Sequence, residues 1–588
     1  MHNDRKWWKE SVIYQLYPRS FQDSNGDGIG DLRGILQRMD YLEQLGIRAI
    51  WLNPIYKSPN DDMGYDISDY RDIMDEFGTM ADFDELLAAA HARGIRIIMD
   101  LVVNHTSDEH AWFVEARKSK DNPYRDFYIW RKGKGKEPGD EPNNWASFFT
   151  PSAWTYDEAT DEYYLHLFSQ KQPDLNWENP RLREEVYRMM NWWMDKGIDG
   201  FRMDVINLIA KEEGLPDGAS SGAGYVFCPE HFANQEKLHD HLQEMRRRCF
   251  DGRDAMCVGE TPFSSPETGS RLMDPENREL DMIFQDALME VDSGEGGKWN
   301  VIPFSLKEWK RRVRTWQQVA ENTWGSLFWS NHDQPRPLSR FVDLDAAARA
   351  AIADLPEGAQ GQDAAYAAAF ETLRTRAAKM LGAAMHLMRG TSYIFQGEEI
   401  GMLNMPFASP EDLRDIESIN FYNEECKKGG DAAEKAFQSI LKKGRDNART
   451  PMQWDDSAFA GFTMGSEPWE KVNPNYQSIN VARQMEDPDS VLAFYRQLIR
   501  FKQTDEAAVY GAFRDLLPED EDLFAYERAL PEAPQDGFLV ICNFSGAAKP
   551  VPETLREAVL ARGGEMLFSN VKERDEDVLQ PFELRVIR

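Results

Sequence analysis

The feature that most restricts the fold of this chain is a regular alternation of short apolar runs with segments whose apolar residues recur at helical spacing. Continuous apolar runs that alternate with amphipathic helices are typical of a parallel sheet covered on its faces. The runs predicted as strands are 11–18, 47–54, 95–102, 199–206, 255–261, 280–284, 326–330 and 391–396. The predicted helices are 31–46, 81–93, 181–196, 235–249, 306–321, 366–388 and 490–503. Eight strands in this pattern favour an α/β fold closed into a (β/α)8 TIM barrel, whose catalytic groups lie at the carboxyl ends of the strands.

Two segments depart from this alternation and predict further domains. Residues 105–179 are rich in Trp, Tyr, Pro and Gly and too long for a simple connection, so we expect an inserted lobe over the barrel mouth. Residues 506–588 carry short alternating runs broken by Pro and Gly, which predicts a C-terminal antiparallel β-sandwich domain. The barrel then comprises 1–104 and 180–505, with an alanine-rich stretch, 345–369, inserted after the seventh strand.

Composition narrows the class of ligand and the location. The chain has 588 residues and a formal net charge of −33, which would repel nucleic acid and anionic membranes and favours a small neutral ligand. No apolar run approaches the roughly 18 residues that span a bilayer. The first residues lack the apolar core of a secretory signal, so the cytoplasm is the expected location. The five cysteines include no CxxC pair and indicate neither a disulfide framework nor a zinc site. We expect a monomer or a weak homodimer.

Polar residues stand at the carboxyl ends of several predicted strands. Arg202 and Asp204 lie two residues apart, which places them on the same face of a strand. Taken alone, the pair is either a structural salt bridge or a nucleophilic carboxylate whose pKa the guanidinium lowers. The other strand ends carry Asp100, Asn104, His105, Glu260, His332 and Asp333. Because the carboxyl ends of barrel strands meet at one pocket, their joint placement favours a catalytic site.

Several motifs resemble those of a known enzyme family. The chain is similar to the α-amylase superfamily of retaining glycoside hydrolases in four ordered regions: Asp100-Leu-Val-Val-Asn-His-Thr-Ser, Gly-Phe-Arg202-Met-Asp204, Val-Gly-Glu260-Thr and Asn-His-Asp333-Gln-Pro-Arg. It resembles the oligo-1,6-glucosidase and α-glucosidase branch in Trp51-Leu-Asn-Pro-Ile-Tyr-Lys-Ser-Pro-Asn, Gly-Tyr65-Asp-Ile-Ser-Asp-Tyr, Gln172-Pro-Asp-Leu-Asn-Trp-Glu-Asn and Arg445-Asp-Asn-Ala-Arg-Thr-Pro-Met-Gln-Trp. The resemblance covers nearly the whole chain.

This resemblance implies roles for individual residues. It makes Asp204 the nucleophile, Glu260 the general acid/base and Asp333 the transition-state stabiliser. The residues it implies for substrate binding are Asp62, Tyr65, His105, Phe149, Arg202, Val205, His332, Arg445 and Arg449. A retaining hydrolase needs one ionised and one protonated carboxyl group. We therefore expect Arg202 to lower the pKa of Asp204, and Glu260, which has no cation beside it in sequence, to have a raised pKa.

A metal loop is predicted near the start of the chain. Oxygen ligands stand at alternate positions, as at positions 1, 3, 5, 7 and 9 of an EF-hand loop, in Asp23, Asn25, Asp27, Ile29 through its carbonyl, and Asp31. Position 12 is Gly34 rather than Glu, so an EF-hand proper is not indicated, and an acidic turn without metal is the alternative. The resemblance implies a structural Ca²⁺ in this loop, with Mg²⁺ as the alternative ion.

The function that the resemblance implies is an exo-acting retaining α-glucosidase acting on α-1,6 bonds of short isomalto-oligosaccharides. In the branch that the chain resembles, Val after the nucleophile, here Val205, accompanies α-1,6 preference, whereas Ala or Thr accompanies α-1,4 preference. The stiff β-branched side chain would narrow the wall beside the leaving sugar. The alternative for Val205 is plain packing in the barrel.

Other functions remain open from the sequence. They are an α-1,4-glucosidase, a glucosyl-transferring isomerase such as a sucrose isomerase or trehalose synthase, and a non-catalytic relative of amino-acid transporter heavy chains. The segment Gln334-Pro-Arg-Pro-Leu-Ser-Arg340 is more similar to the hydrolases, and the intact carboxylates oppose the last alternative. Two departures from the usual motifs, Met63 for Asn and Asp286-Ala287-Leu288 for Phe-Glu-His, concern the part of the site beyond the scissile bond.

Overall fold

A parallel eight-stranded sheet forms the centre of the molecule. The computed structural model describes residues 5–137, 139–219, 224–354, 361–465 and 467–588. The sheet consists of β1 (Val12–Leu16), β2 (Ala49–Leu52), β3 (Arg96–Val102), β4 (Gly200–Asp204), β5 (Met256–Glu260), β6 (Met282–Phe284), β7 (Ser326–Leu327) and β8 (Thr391–Phe395). Every residue of these strands is buried except Arg96 and Glu260, each at a strand end. The continuous apolar runs of the sequence thus become strands that are covered on both faces.

The strand order is that of a nearly closed barrel. Hydrogen-bonded neighbours follow the order β6-β5-β4-β3-β2-β1-β8-β7, and all pairs are parallel. Between β6 and β7 the described residues form no backbone ladder, and Ser326 Oγ donates instead to the carbonyl of Ile283 at 2.7 Å. β7 is two residues long, although the apolar run predicted a strand over 326–330. The predicted (β/α)8 barrel is confirmed.

Helices cover the outside of the barrel. Their bounds are Leu32–Gln37, Met39–Leu45, Met80–Ala92, Pro180–Lys196, Glu236–Met245 with one π-helical turn Arg246–Phe250, Pro266–Leu272, Leu306–Asn322, Gln362–His386 and Val491–Thr504. The helix predicted over 31–46 is divided at Arg38, which leaves helical geometry (φ −104°, ψ 9°) and places its guanidinium 4.0 Å from the Trp454 ring centroid. The short helix Pro266–Leu272 was not predicted, because its Pro, Gly, Ser and Thr residues conceal the helical period.

The inserted lobe contains its own small sheet. Within 105–179 lie a helix, Ala111–Ala116, and three antiparallel strands in the order Trp130–Arg131, Glu162–Leu165, Trp154–Asp157. Trp145 of the lobe shares an apolar cluster with Leu208 from the loop after β4, and it forms a parallel bridge with Val226. The lobe therefore covers the carboxyl end of β4. The boundaries at 105 and 179 stay a prediction.

A second group of elements, which the sequence did not predict, lies beyond β6 and β8. It comprises the strands Ser293–Gly294 and Gly297–Val301 and the helices Ile416–Cys426 and Ala432–Lys443. Trp299 stacks on Phe421 with ring centroids 4.6 Å apart, and Lys298 Nζ lies 2.5 Å from Glu417 Oε2. These contacts join the hairpin after β6 to the first helix after β8.

The C-terminal residues form an antiparallel sheet in the order Ala512–Asp515, Leu523–Leu530, Ala533–Asn543, Leu584–Ile587, Met566–Ser569. One face packs on the barrel, where Tyr526 donates to the carbonyl of Ala383 at 3.1 Å. On the other face, Leu523 and Ile541 share a cluster with Leu555 and Leu579. The second layer of the predicted sandwich thus consists of one helix, Glu553–Arg562, and a two-stranded sheet, Lys549–Pro550 with Val578–Leu579.

Shorter elements complete the described chain. A two-stranded sheet, Tyr56–Lys57 with Asp69–Ile73, follows β2, and short α-helices lie at Pro337–Arg340, Leu344–Ala351, Asp446–Arg449, Val481–Glu486 and Glu506–Tyr510, besides several single turns of 3-10 helix. The alanine-rich stretch 345–369 falls partly outside the described residues. No helix in the described ranges combines the length and the apolar character needed to cross a membrane.

Candidate active site

Three carboxyl groups, from β3, β4 and β5, meet around the guanidinium of Arg202. Nη1 of Arg202 lies 2.8 Å from Asp100 Oδ1 and 2.6 Å from Asp204 Oδ1. Nη2 of the same arginine lies 2.8 Å from Glu260 Oε2. Arg202 is only 1% exposed. One buried cation therefore serves three carboxyl groups, and it places the predicted nucleophile and the predicted acid/base on its two terminal nitrogens.

The pairing of neighbouring strands brings these side chains together. Asp100 of β3 is the register partner of Arg202 on β4. Val258 of β5 is the partner of Arg202 on the other side, which places Glu260 level with Asp204. The first residue of β4 must be glycine, because a Cβ on Gly200, whose φ is 157°, would lie 2.2 Å from the carbonyl oxygen of Met256.

Burial has a strong effect on the pKa values of these carboxyl groups. It raises the pKa of Asp204 well above its usual value; Arg202 opposes this rise, while Glu260 and Asp100 add to it. Burial also raises the pKa of Asp100 to about 6. Arg202 lowers the pKa of Asp204, as expected, but burial raises that pKa by more, so the net shift is upward. Glu260 has no cation beside it in the sequence, as expected. In the structure, however, Arg202 of the neighbouring strand contacts it.

Asp333 is surrounded by positive and hydrogen-bonding groups. Its Oδ1 lies 2.8 Å from Arg449 Nη2 and 3.4 Å from Arg445 Nη1, and its Oδ2 lies 3.1 Å from His332 Nε2. Burial alone would raise its pKa, but His332, Arg445 and Arg449 hold the pKa of Asp333 well below its usual range. Burial lowers the pKa of His332 to about 3, so this imidazole is neutral near pH 7. Because Gln15 Nε2 donates to its Nδ1 at 2.9 Å, the proton stands on Nε2 and faces Asp333.

Asp62 and Tyr65, both predicted to bind glucose, join the two halves of the site. Asp62 Oδ1 lies 3.1 Å from Arg445 Nη2, and burial raises the pKa of Asp62 to about 6. The Tyr65 ring stacks on His332, with centroids 5.1 Å apart and an angle of 11°. The Tyr65 hydroxyl donates to Asp100 Oδ2 at 3.0 Å. Contacts therefore run without interruption from Asp333 to the Arg202 group.

His105 reaches the same site through a residue to which the sequence assigned no role. Gln172 Nε2 donates to Asp62 Oδ2 at 3.1 Å and lies 3.2 Å from His105 Nε2. Burial lowers the pKa of His105 to about 4, so it is neutral near pH 7. Asp415, whose Oδ1 lies 2.5 Å from Arg445 Nη2, was also missed. Gln172 lies in one of the motifs quoted from the sequence and could have been predicted as a site residue, whereas Asp415 lies in none of those motifs.

Phe149 and Val205 lie on the side of the site that the lobe covers. The Arg445 guanidinium lies 5.3 Å from the Phe149 ring centroid. Val205 belongs to the lobe's apolar cluster and adopts a left-handed backbone (φ 34°, ψ 40°), which is strained for a β-branched residue. Its N–H donates to Glu260 Oε2 at 3.1 Å. A continuous set of contacts therefore links all the predicted catalytic and substrate-binding residues.

Comparison with known proteins agrees with this geometry. Residues 15–511 match the family model described as alpha amylase, catalytic domain. The chain belongs to the α-amylase family.

Relatives within the α-amylase family match the chain along its whole length. It is 52% identical to an oligo-1,6-glucosidase of Parageobacillus thermoglucosidasius over 100% of this chain and 99% of that protein. Among solved structures, the trehalose-6-phosphate hydrolase of Bacillus licheniformis is 41% identical with a TM-score of 0.86, covering 99% of both chains. The trehalulose synthase of Pseudomonas mesoacidophila MX-45 is 40% identical with a TM-score of 0.86, also covering 99% of both.

The predicted metal loop of this α-amylase family member is held by its own hydrogen bonds. Asp23 Oδ1 accepts from the N–H groups of Asn25 and Gly26 at 3.0 and 2.7 Å, and its Oδ2 accepts from Gly28 N–H and Thr463 Oγ at 2.8 and 2.5 Å. Asp31 Oδ1 accepts from the N–H of Gly34 at 2.7 Å and caps the following helix. The turn is therefore well ordered by protein groups.

The remaining loop residues offer oxygen atoms of the kind that Ca²⁺ prefers. Asn25 Oδ1 accepts from Asp27 N–H and Asp27 Oδ1 from Ile29 N–H, each at 2.9 Å. Within the described ranges, no group of three or more His, Cys, Asp or Glu side chains is arranged to hold an ion. The oxygen-only donor set fits Ca²⁺ chemically, and Ca²⁺ at this loop stays a prediction.

Proposed function

We propose that this protein is an exo-acting retaining α-glucosidase that hydrolyses non-reducing-end α-1,6 bonds of short isomalto-oligosaccharides. The observation that carries the proposal is the contact of Asp204 and Glu260 with the two terminal nitrogens of one buried guanidinium. Retaining hydrolysis requires two carboxyl groups close together, one acting as nucleophile and one as acid. The similarity to an oligo-1,6-glucosidase over the whole chain supports the α-1,6 linkage.

In the first step, Asp204 attacks the anomeric carbon of the terminal glucose and the bond to the leaving oxygen breaks. Glu260 gives its proton to that oxygen. Two donors contact Oε2 of Glu260, namely Arg202 Nη2 at 2.8 Å and Val205 N–H at 3.1 Å. Since Oε2 is occupied as an acceptor, the transferable proton belongs on Oε1. Arg202 and the strained Val205 backbone thus orient the acid.

In the second step, Glu260 removes a proton from water through the same oxygen, and the water attacks the anomeric carbon. The bond to Asp204 breaks and glucose leaves with its α-configuration retained. Asp333, which His332, Arg445 and Arg449 keep ionised, supplies a negative oxygen beside the positive charge that develops on the sugar ring in both steps. The neutral imidazoles of His332 and His105 are suited to hydrogen bonds with sugar hydroxyls.

Exo action is supported by the buried ion pairs that lie beside the predicted glucose site. Arg445 bridges Asp62 and Asp333, and it also contacts Asp415. Asp62, Asp415 and Arg445 are 5%, 0% and 7% exposed. A wall of paired charges at this side of the pocket would stop the substrate after one glucose unit.

Kinetics on purified protein test the linkage. We expect isomaltose and panose to have a kcat/KM about 10- to 200-fold above that of maltose, the range that one methyl-sized contact can supply. Val205→Ala is expected to lower the isomaltose-to-maltose ratio, because it removes the β-branch beside the acid/base. An unchanged ratio in the variant would show that Val205 acts through packing alone, and a wild-type preference for maltose would replace the α-1,6 assignment with α-1,4.

A further inference from the structure

A short loop carries two of the predicted glucose-binding residues, Asp62 and Tyr65, and a buried acid, Asp66, comes directly after them. The loop joins the strands Tyr56–Lys57 and Asp69–Ile73, which follow β2. Asp66 is 0% exposed. Burial raises the pKa of Asp66 to about 7, and the groups that most oppose this rise are hydrogen-bond donors of the loop itself. The acid is therefore part of the construction of the loop.

Three hydrogen bonds tie the Asp66 carboxylate to the start of the loop. Its Oδ1 accepts from the N–H of Asp62 at 3.0 Å and from Ser58 Oγ at 2.9 Å. Its Oδ2 accepts from the N–H of Asp61 at 2.9 Å. Hydrogen bonds to an ionised acceptor are stronger than those between neutral groups. Asp66 thus fixes the backbone of Asp62, which stands four residues before it.

The loop needs this support because its backbone is strained. Asn60 and Met63 adopt left-handed conformations, with φ of 64° and 48°, and Gly64 follows with φ of 102°. Asn and Gly tolerate such values, whereas a Met side chain makes them costly. Strain of this kind persists only where the surrounding structure constrains it. The three hydrogen bonds to Asp66 span the strained residues and supply that constraint.

The position of Asp62 matters because its carboxylate contacts two other segments of the site. Its Oδ1 lies 3.1 Å from Arg445 Nη2, and its Oδ2 accepts from Gln172 Nε2 at 3.1 Å. Tyr65 has a separate anchor at the far end of its ring, where the hydroxyl donates to Asp100 Oδ2 at 3.0 Å. A shift of the loop backbone would therefore displace the carboxylate of Asp62, while the Tyr65 hydroxyl remains held.

We propose that Asp66 is a positioning residue, which holds the carboxylate of Asp62 in place for a hydroxyl of the terminal glucose. The proposal rests on the proposed function and deepens it, because Asp62 meets a sugar only if the pocket binds glucose there. Asp66 is fully buried, so it acts through the loop backbone rather than by touching the sugar. Its loss should weaken the binding of the glucose unit whatever group leaves.

Binding constants for the glucose unit test this role. In Asp66→Asn we expect the KM for isomaltose and the inhibition constant for free glucose to rise together by about 10-fold or more, the effect of losing a hydrogen bond to a charged group. Partial unfolding would lower the amount of active protein, and hence kcat, but it would leave both constants unchanged. Adding Met63→Asn, whose side chain tolerates the left-handed backbone, should recover part of the loss.

The double variant Asp62→Ala, Asp66→Asn shows whether Asp66 acts through Asp62. Once the Asp62 side chain is gone, Asp66→Asn should change both constants by less than about 2-fold, because two residues that act as a unit are not additive. A further rise in the double variant as large as that in Asp66→Asn alone would overturn the proposal. Unchanged constants in Asp66→Asn would overturn it as well.

Asp281→Asn is the matched control. Asp281 is also a largely buried acid that accepts a backbone N–H, that of Cys257 at 2.8 Å, but it precedes β6 at the other end of the barrel. The control should leave both constants unchanged, and an equal rise there would overturn the proposal by showing a general effect of removing a buried acid. If the wild type prefers maltose, the linkage assignment fails separately, and maltose, which carries the same terminal glucose, still tests Asp66.

Discussion

Positive charge is scarce among the residues of this pocket, and each buried arginine serves several acids. Arg202 contacts three carboxyl groups, and Arg445 contacts Asp62, Asp333, Asp415 and Glu417. Repulsion among carboxyl groups that share a cation opposes the ionisation of all of them. The Val205 N–H, which donates to Glu260 Oε2 at 3.1 Å, is a further local donor to one of these acids.

Removing either carboxyl group of the predicted pair should stop the reaction. We expect Asp204→Asn and Glu260→Gln each to lower kcat by about 10⁴-fold or more, because a covalent mechanism needs both the nucleophile and the acid. Unchanged circular dichroism and thermal midpoint would show that the fold is intact. Azide should partly rescue Asp204→Gly and give the inverted β-glucosyl azide. Near wild-type turnover by Asp204→Asn would contradict the assigned nucleophile.

Glu470, which is not among the predicted site residues, offers a pH test of the fold. It is 1% exposed, its Oε2 has no hydrogen-bond partner among the described residues, and burial raises its pKa from the usual 4.5 to about 8, with Asp446 adding to the rise. Between these two pH values the folded state holds a proton on Glu470 that the unfolded state releases. The free energy of unfolding therefore falls as pH rises from about 4.5 to about 8.

Glu470→Gln needs no proton, so its stability relative to wild type should grow by up to about 1.4 kcal/mol per pH unit across that window. Urea unfolding at pH 5 and pH 8 measures this difference. A stability difference that is the same at both pH values would show that Glu470 keeps an ordinary pKa in the folded protein.

At the scale of elements, the lobe and the loop after β4 are tied by a buried ion pair as well as by apolar packing. Lys211 Nζ lies 2.8 Å from Asp174 Oδ2 and donates to Asn104 Oδ1 at 2.9 Å. The side chains of Lys211 and Asp174 are 4% and 0% exposed. The lobe's contribution to the pocket depends on this tie, because Gln172, two residues from Asp174, contacts Asp62 and His105.

Loss of the Lys211–Asp174 ion pair should destabilise the protein. Lys211→Met leaves Asp174 buried without its cation, which is expected to lower the free energy of unfolding by about 3–5 kcal/mol. Adding Asp174→Asn should restore part of that loss. Lys134→Met, at an exposed lysine of the lobe, is the control and should change stability by less than about 0.5 kcal/mol. Equal losses in Lys211→Met and Lys134→Met would exclude a structural role for the pair.

At the scale of the whole molecule, we expect the predicted Ca²⁺ to contribute to stability rather than to the reaction. The loop 23–31 precedes the helix Leu32–Gln37, and Thr463, 440 residues further along the chain, donates to Asp23, so an ion there would bind only the folded state. Chelation is expected to remove about 2 kcal/mol of stability and to leave activity at moderate temperature nearly unchanged.

Thermal midpoints with and without chelator check this expectation. Asp27→Ala should lower the midpoint and abolish the response to chelator, whereas Asp121→Ala, at an exposed acid of the lobe, should retain it. A wild-type midpoint that does not respond to chelator would count against the metal loop.

Local patterns in the sequence predicted the barrel and the polar residues at its strand ends, whereas the roles of these residues and the other substrate-binding residues were implied by the resemblance to the enzyme family. The period of apolar residues depends only on neighbours along the chain, so strands and helices, such as the helix predicted over 81–93 and found at Met80–Ala92, were visible in advance. The residues at strand ends followed from the same pattern. The sequence did not predict the break at Arg38, the helix Pro266–Leu272 or the hairpin after β6, because the local sequence there mixes turn-forming residues with apolar ones.

Only the tertiary structure decided how charge is distributed and how the backbone is strained. Whether Arg202 contacts one carboxylate or three depends on the register of β3, β4 and β5, which brings Asp100 and Glu260 to it from 102 and 58 positions away along the chain. Val205, whose backbone is left-handed, packs in the lobe cluster and donates its N–H to Glu260. The charge distribution and the strained backbone both depend on contacts between residues far apart in the sequence. Burial in such contacts shifts pKa values and allows a strained backbone to persist.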